Sequence, residues 1–168
     1  MRIEYLHASR FGNGAEVAEE FRRLMANRGV EVHVHHVHAI DPRALPPADV
    51  YVFSSPGRMG GPIRAVRRLL RELTLPAGTR YALLSTELTD WPARQADGEV
   101  EPVEVSRYRN VRPYMHAVLR EKGLVDVAEA VVHVKDVRGP LEDGWERIVA
   151  SFADRILASM DAAGPVAG

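Results

Sequence analysis

The chain has 168 residues, of which 46% are hydrophobic and 27% charged, so its length and composition predict one globular domain that folds without cross-links. It contains no cysteine, which excludes a disulfide framework, a thiolate zinc site, an iron–sulfur cluster and a cysteine nucleophile. The 22 basic and 23 acidic side chains leave a formal net charge of −1, which provides no general positive field for nucleic acid. Since no stretch resembles a signal peptide or a membrane span, we expect a cytoplasmic protein.

The first part of the chain alternates between strand and helix patterns. A short apolar run, Ile3 to Leu6, ends in serine, glycine and asparagine, which is typical of a strand followed by a turn. Apolar residues then recur every three to four positions from Val17 to Arg28, and Gly29 is a stop signal, so a helix is predicted. Val30 to Val37 alternates valine with histidine and glutamate, which predicts an edge strand with one exposed face.

The rest of the chain continues this alternation. Two continuous apolar runs are typical of strands that are buried on both faces of a parallel sheet, Val50 to Phe53 and Tyr81 to Leu84. Helical spacing follows each of them, and a last strand and a closing helix complete the pattern; these elements are predicted at Pro62 to Leu73, Val111 to Leu119, Leu124 to Val134 and Trp145 to Leu157. The alternation predicts the α/β class, with a doubly wound parallel sheet and helices on both faces.

Three further features lead to expectations about organisation. Residues 1–161 are predicted to form the domain, and residues 162–168 a flexible tail of small residues. The segment from Leu88 to Ser106 is longer than an ordinary connection, so we expect it to have a functional role. Glu4 is an unusual residue for a buried strand, and we expect it at the solvent-facing end of that strand.

The loop after the first strand is a candidate phosphate site, because ligands of such sheets bind beyond the carboxyl ends of the strands. Ser9 to Ala15 brings a hydroxyl, glycines and backbone N–H groups to the N-terminus of a helix, which favours a phosphate. The pattern matches neither a dinucleotide fingerprint nor a nucleoside-triphosphate loop. A tight turn that needs glycine for its positive φ is the alternative, and Arg10 is either a partner of the phosphate or a solvated loop residue.

These residues resemble a known family. Ser9-Arg10-Phe11-Gly12-Asn13-Gly14 resembles the flavodoxin phosphate loop, in which S-x-T-G-N-T wraps the 5′-phosphate of flavin mononucleotide (FMN). Ser55-Pro56-Gly57-Arg58-Met59-Gly60-Gly61 is similar to the P-T-R-F-G-N segment of flavodoxin-like quinone oxidoreductases. The stretch from Gly139 to Phe152 is similar to the approach to the last helix in this superfamily. The resemblance implies a five-stranded sheet with the strand order 2-1-3-4-5.

The resemblance also implies a function and a set of site residues. It implies a flavoprotein that binds FMN noncovalently and transfers electrons, either as a carrier with a redox partner protein or as an oxidoreductase linked to NAD(P)H or a quinone. No side chain need act as an acid or a base, so it implies no catalytic residue. The implied cofactor-binding residues are Ser9, Arg10, Phe11, Gly12, Asn13, Gly14 and Ala15 around the phosphate, and Ser55, Pro56, Gly57, Arg58, Met59, Gly60, Ser85, Thr86, Glu87 and Trp91 around the flavin ring.

Two departures from the family pattern support a rival interpretation. Phe11 and Gly14 replace the two threonines of the phosphate loop, which removes two hydroxyl donors. A flavodoxin-like module that has lost its flavin and serves as a binding or scaffold protein is therefore the alternative. A phosphate-ester-binding enzyme without flavin is a third interpretation, for which the sequence provides no evident catalytic base.

Two clusters of charged or titratable residues complete the candidates. His33 and His35 fall on one face of the second strand and His36 and His38 on the other, so four converging ligands would need a bulge, and we expect no metal site. A basic face of the second predicted helix is either solvated or a docking patch for an acidic redox partner. It consists of Arg64, Arg67, Arg68 and Arg71.

Overall fold

The computed structural model describes residues 1–58, 60–88 and 110–162. Numbered in chain order over these ranges, the strands are β1 (Arg2–His7), β2 (Glu31–His36), β3 (Val50–Arg58), β4 (Gly61–Pro62), β5 (Arg80–Leu88) and β6 (Val125–Val134). The helices are α1 (Asn13–Ala26), α2 (Arg64–Glu72), α3 (Val111–Glu121) and α4 (Trp145–Ala162). Of the predicted long segment only Leu88 is described, and the predicted tail beyond Ala162 lies outside the described residues.

The five long strands form one parallel sheet in the order β2-β1-β3-β5-β6. This confirms the predicted α/β class and the predicted order 2-1-3-4-5. The edge position predicted for the histidine-rich strand is confirmed as well, since β2 pairs only with β1 within the described residues. None of the described helices has both the length and the hydropathy that crossing a membrane requires.

Strands β3 and β5 continue past the ends that hydrophobicity predicts for them. Parallel pairing carries β3 through Pro56↔Thr86 and β5 through Leu88↔Val134, because ladder hydrogen bonds extend a strand through polar residues. The segment from Ser55 to Arg58, which lies beyond the apolar run that predicted the strand, is therefore strand in the structure. This segment turns back through the two-residue strand β4, which pairs antiparallel with β3 and which the sequence did not predict.

Two hydrophobic clusters cover the two faces of the sheet. On one face, Tyr5 of β1 packs with Phe21 of α1 and Phe152 of α4. On the other face, Phe53 of β3 lies in the cluster to which α2 and α3 contribute. Strand alternation explains the division, because neighbouring residues of a strand point to opposite faces. With both faces covered, the site available to a ligand is the carboxyl edge of the sheet.

The expectation that Glu4 lies at the solvent-facing end of its strand is wrong. Its side chain is 0% exposed, in the middle of β1. Arg2 Nε donates to Glu4 Oε1 at 2.8 Å, and His35 Nε2 lies 2.5 Å from Glu4 Oε2. Both carboxylate oxygens therefore have partners, which is the condition under which a buried carboxylate is tolerated. We call these three residues the Glu4 cluster.

Candidate functional site

A cavity of about 580 Å³ opens at the carboxyl edge of the sheet. The segment after β1 and the C-terminal ends of β3, β5 and β6 all contribute to its walls, and its volume is in the usual range for a small-molecule site. The predicted site residues on its walls are Ser9, Arg10, Phe11, Asn13, Gly14, Pro56, Gly57, Arg58, Gly60, Thr86 and Glu87. The structure thus brings together the three segments that the sequence analysis gives as cofactor-binding, namely the loop after β1 and the C-terminal ends of β3 and β5.

Four predicted site residues are described but do not line the cavity: Gly12, Ala15, Ser55 and Ser85. Ser55 and Ser85 are buried neighbours in the β3–β5 ladder. The Ser55 hydroxyl donates to the Pro56 carbonyl at 3.0 Å and accepts from the Ile63 N–H at 3.3 Å, so it holds the turn that begins α2. Met59 and Trp91 lie outside the described residues.

The loop between β1 and α1 has the geometry of an anion site. Gly12 adopts a left-handed conformation with φ of 93°, and its N–H donates to Ser9 Oγ at 3.0 Å. The Gly12 carbonyl accepts from the Glu16 N–H at 2.9 Å, which starts the helix. No side chain caps α1, so the first-turn amides of residues 13–15 have no partner within the helix. Such amides, together with the helix dipole, favour a negatively charged ligand.

Close packing explains why this loop carries glycine at position 14. A Cβ atom at Gly14 would lie 3.0 Å from the Ala8 carbonyl oxygen, which is backbone and moves only with the strand. The N-terminus of α1 therefore packs closely against the chain at the end of β1.

Two arginines lie near the aromatic ring of Phe11, which is 45% exposed. The guanidinium carbon of Arg10 is 5.5 Å from the ring centroid, and that of Arg138 is 6.0 Å from it. Arg138 follows β6, so cations from two separate connections meet beside the phosphate-type loop. The sequence did not indicate Arg138, because it is 127 positions from Phe11 and only the fold brings the two together.

On the opposite wall, Glu87 is held in place by two neighbours. The Ser85 hydroxyl donates to Glu87 Oε1 at 2.5 Å, and Arg112 Nε lies 3.8 Å from the same oxygen. Gly57 is close to this carboxylate, since a Cβ there would lie 3.5 Å from Glu87 Cγ and 3.1 Å from Val111 Cγ2. Glycine at position 57 therefore lets the backbone pass between the wall of the cavity and α3.

A chain of polar contacts continues from Arg112 into the core. Arg112 Nη1 lies 3.1 Å from Glu129 Oε1, and His116 Nε2 lies 2.9 Å from Glu129 Oε2. Burial raises the pKa of Glu129, but the His116 hydrogen bond and the Arg112 charge outweigh this and lower it below its ordinary value. His116 Nδ1 is 2.7 Å from the hydroxyl of Tyr81, whose pKa burial raises to about 12. The chain links the wall of the cavity to the packing of α3.

His133 of β6 is a cavity residue that the sequence analysis missed. It is the register partner of Glu87, and its Nδ1 is buried without a hydrogen-bond partner in the part of the chain that the structure describes. β6 is the fifth parallel strand along the chain and ends at the same edge of the sheet, so the rule that ligands bind at this edge would have found His133. The other residues missed on the walls are Ala8, Ile63, Arg64, Ala65, Leu88, Val134 and Val137.

The histidines of β2 and His38, which lies just beyond the strand, form two pairs, as their alternation predicts. The rings of His33 and His35 stack with centroids 6.5 Å apart, and those of His36 and His38 lie 5.2 Å apart. His36 also meets His7 of β1 edge to face. Within the described ranges, no group of three or more histidine, aspartate or glutamate side chains is arranged to hold a metal ion.

No protein-family model and no curated protein matches this sequence significantly. Solved structures do match its fold. The chain is 17% identical to a flavodoxin from Streptococcus pneumoniae, with a TM-score of 0.70, and covers 99% of it with 94% of its own length. It is 15% identical to flavodoxin 1 from Bacillus cereus, with a TM-score of 0.72 and coverage of 94% of this chain and 98% of that one.

A WrbA-like protein from Agrobacterium tumefaciens is also similar, with 12% identity, a TM-score of 0.65 and coverage of 95% of this chain and 98% of that one. Structural matches at identities this low show a shared fold and do not show a shared activity. The strand order, the cavity at the carboxyl edge and these full-length matches agree, and the chain has the flavodoxin-like fold.

Proposed function

We propose that the protein binds FMN noncovalently in this cavity and transfers electrons through it. The observation that carries the proposal is the uncapped N-terminus of α1, which opens into a cavity of flavin-compatible size. The flavin supplies the redox chemistry when bound, and the protein supplies binding, orientation and electrostatics.

The phosphate would be held mainly by backbone. The amides of residues 13–15 are the donors, and the Ser9 hydroxyl keeps the loop in shape through its contact with Gly12. Arg10 and Arg138 add positive charge beside the loop, which partly replaces the hydroxyls that Phe11 and Gly14 lack. The donor set thus fits a phosphate monoester, with more of its stabilisation from charge than the flavodoxin pattern implies.

The ring would lie between the β3–β4 turn and the end of β5. Pro56, Gly57 and Gly60 border one wall, and Thr86 and Glu87 the other. The Glu87 carboxylate would disfavour negative charge on a nearby ring, but Ser85 and Arg112 already engage it, which moderates this effect.

Fluorescence titration with FMN and with riboflavin tests the proposal. Riboflavin has the ring but no phosphate, so we expect FMN to bind at least about tenfold more tightly, the value of one charge-assisted hydrogen bond. Arg10→Gln should weaken FMN binding and leave riboflavin binding unchanged. Gly14→Val should weaken FMN binding, because a Cβ there would lie 3.0 Å from the Ala8 carbonyl oxygen and one of the two segments would have to shift.

The control is Arg71→Gln, which removes the same charge from an exposed residue in the last turn of α2 that does not line the cavity. It should bind FMN as the original protein does. Equal affinities for FMN and riboflavin would contradict the assignment of the phosphate to the β1–α1 loop.

A second candidate function rests on the same departures from the pattern. With no hydroxyl at positions 11 and 14, the fold also suits a module that has lost its flavin and binds another protein. Purified protein that stays colourless and does not quench FMN fluorescence would favour this function. If the protein binds FMN, bleaching by NADPH without oxygen would indicate an oxidoreductase, and no bleaching a carrier that needs a reductase.

A further inference from the structure

The arginines around the cavity differ from arginines elsewhere in the protein. Arg10, Arg58 and Arg64 line the cavity, and Arg138 lies over Phe11 beside it; we call these four the arginine rim. Among the described residues, none of the four forms an ion pair with a carboxylate. Elsewhere such pairs are common, and arginines within 3.8 Å of a carboxylate oxygen include Arg2, Arg28, Arg68, Arg112 and Arg120.

The position of Arg64 adds a second observation. It is the first residue of α2, and the first turn of this helix has no acidic side chain. A cation at a helix N-terminus faces the positive end of the helix dipole, which is the unfavourable arrangement for the folded protein alone. Arg58 adds like charge from the strand that pairs with β4 immediately before α2. An anion in the cavity would relieve both interactions.

We propose that the reactant which exchanges electrons with the bound flavin is a small anion, attracted by Arg58 and Arg64. This inference rests on the proposed FMN site and names the substrate class of that site. A phosphate dianion beside Arg10 and Arg138 offsets their charge, whereas Arg58 and Arg64 line the wall beside the ring and keep theirs. A positive, partly enclosed site raises the local concentration of anions and excludes cations.

Rapid mixing of the reduced protein with two simple oxidants tests the charge preference. The FMN-loaded protein is photoreduced without oxygen and mixed with ferricyanide, an anion, or with hexaammineruthenium(III), a cation. Each oxidant ion takes one electron, so two ferricyanide ions are reduced to ferrocyanide for each two-electron-reduced flavin that is oxidised. The flavin releases its protons to solvent as it is oxidised. The recovery of flavin absorbance gives the rate.

We expect the ferricyanide rate to fall, and the hexaammineruthenium rate to rise, as salt is increased from low to high concentration. The variant Arg58→Gln/Arg64→Gln should slow ferricyanide by about tenfold at low salt and speed up hexaammineruthenium. A change in flavin potential would move both rates in the same direction, so opposite changes identify an electrostatic cause. Arg64→Gln alone should give a smaller change of the same signs, and Arg71→Gln should leave both rates unchanged.

The outcomes separate this inference from the proposed function. Protein that takes up no FMN overturns both together. Protein that binds FMN but reacts with the two oxidants independently of salt, or equally before and after the double substitution, overturns the anionic reactant and leaves the FMN site standing. Occupancy is read from flavin absorbance for each variant, so weaker FMN binding is not mistaken for slower electron transfer.

Discussion

The Glu4 cluster and the arginine rim differ in whether their charged side chains have partners of opposite charge among the described residues. In the Glu4 cluster a carboxylate with 0% exposure has both of its oxygens engaged, by Arg2 and by His35. In the arginine rim, four cations surround a cavity without a carboxylate partner in the part of the chain that the structure describes. The first arrangement serves the fold, because a buried charge without a partner is costly. The second leaves charge for a ligand.

The largest expected effect comes from leaving Glu4 without partners. Arg2→Met together with His35→Phe leaves a buried carboxylate unpaired, and we expect the free energy of unfolding to fall by about 3 to 5 kcal/mol. Adding Glu4→Leu should restore most of the loss, because no buried charge then remains. Urea denaturation measures all three proteins, and a loss below about 1 kcal/mol in the double variant would refute the role given to this cluster.

A smaller loss is expected from the chain that ends at Tyr81. His116→Leu removes one hydrogen-bond partner of the buried Tyr81 hydroxyl and leaves Arg120 as the other, which should cost about 1 kcal/mol of unfolding free energy. The same substitution combined with Tyr81→Phe should be less destabilising than the sum of the two single changes. Additive losses in a double-mutant cycle would show that the two side chains are not coupled.

His7 provides a pH-dependent test in the core. Burial, with a contribution from His36, lowers the pKa of His7 below its ordinary value of 6.5. The unfolded chain therefore takes up a proton that the folded chain does not, and stability falls as the pH drops below about 6.5, by at most about 1.4 kcal/mol per pH unit. His7→Leu should flatten this part of the profile. An unchanged slope between about pH 6.5 and 5 would assign the effect to other groups.

The smallest effect should come from the arginine rim. Arg64→Gln and Arg138→Gln remove side chains without a carboxylate partner among the described residues, so each should change the unfolding free energy by no more than about 0.5 kcal/mol. Thermal denaturation without flavin measures this directly. A loss above about 1 kcal/mol would mean that these arginines support the fold, which would remove the contrast with the Glu4 cluster.

The site was predictable from sequence where it depends on short segments of chain. Ser9 to Ala15 and Pro56 to Gly60 carry local patterns of glycine and polar residues, and the rule that ligands bind at the carboxyl edge places them together. His133 and Arg138 were not predicted because they lie at the end of β6 and just after it, where the sequence has no comparable pattern. The hairpin of β3 and β4 was not predicted from the sequence, because backbone pairing between strands, rather than hydrophobicity, extends β3 to Arg58.

The sequence by itself determined the α/β class and the alternation of elements, because hydrophobic periodicity is a local property of the chain. It also determined the absence of cysteine chemistry. Only the tertiary structure decided which charges are paired, since Arg2, Glu4 and His35 meet across two strands. It also brings Arg10 and Arg138, from distant parts of the chain, to the same Phe11 ring. Pairing depends on distances of a few ångströms between segments far apart in sequence, and these distances are set by packing rather than by local pattern.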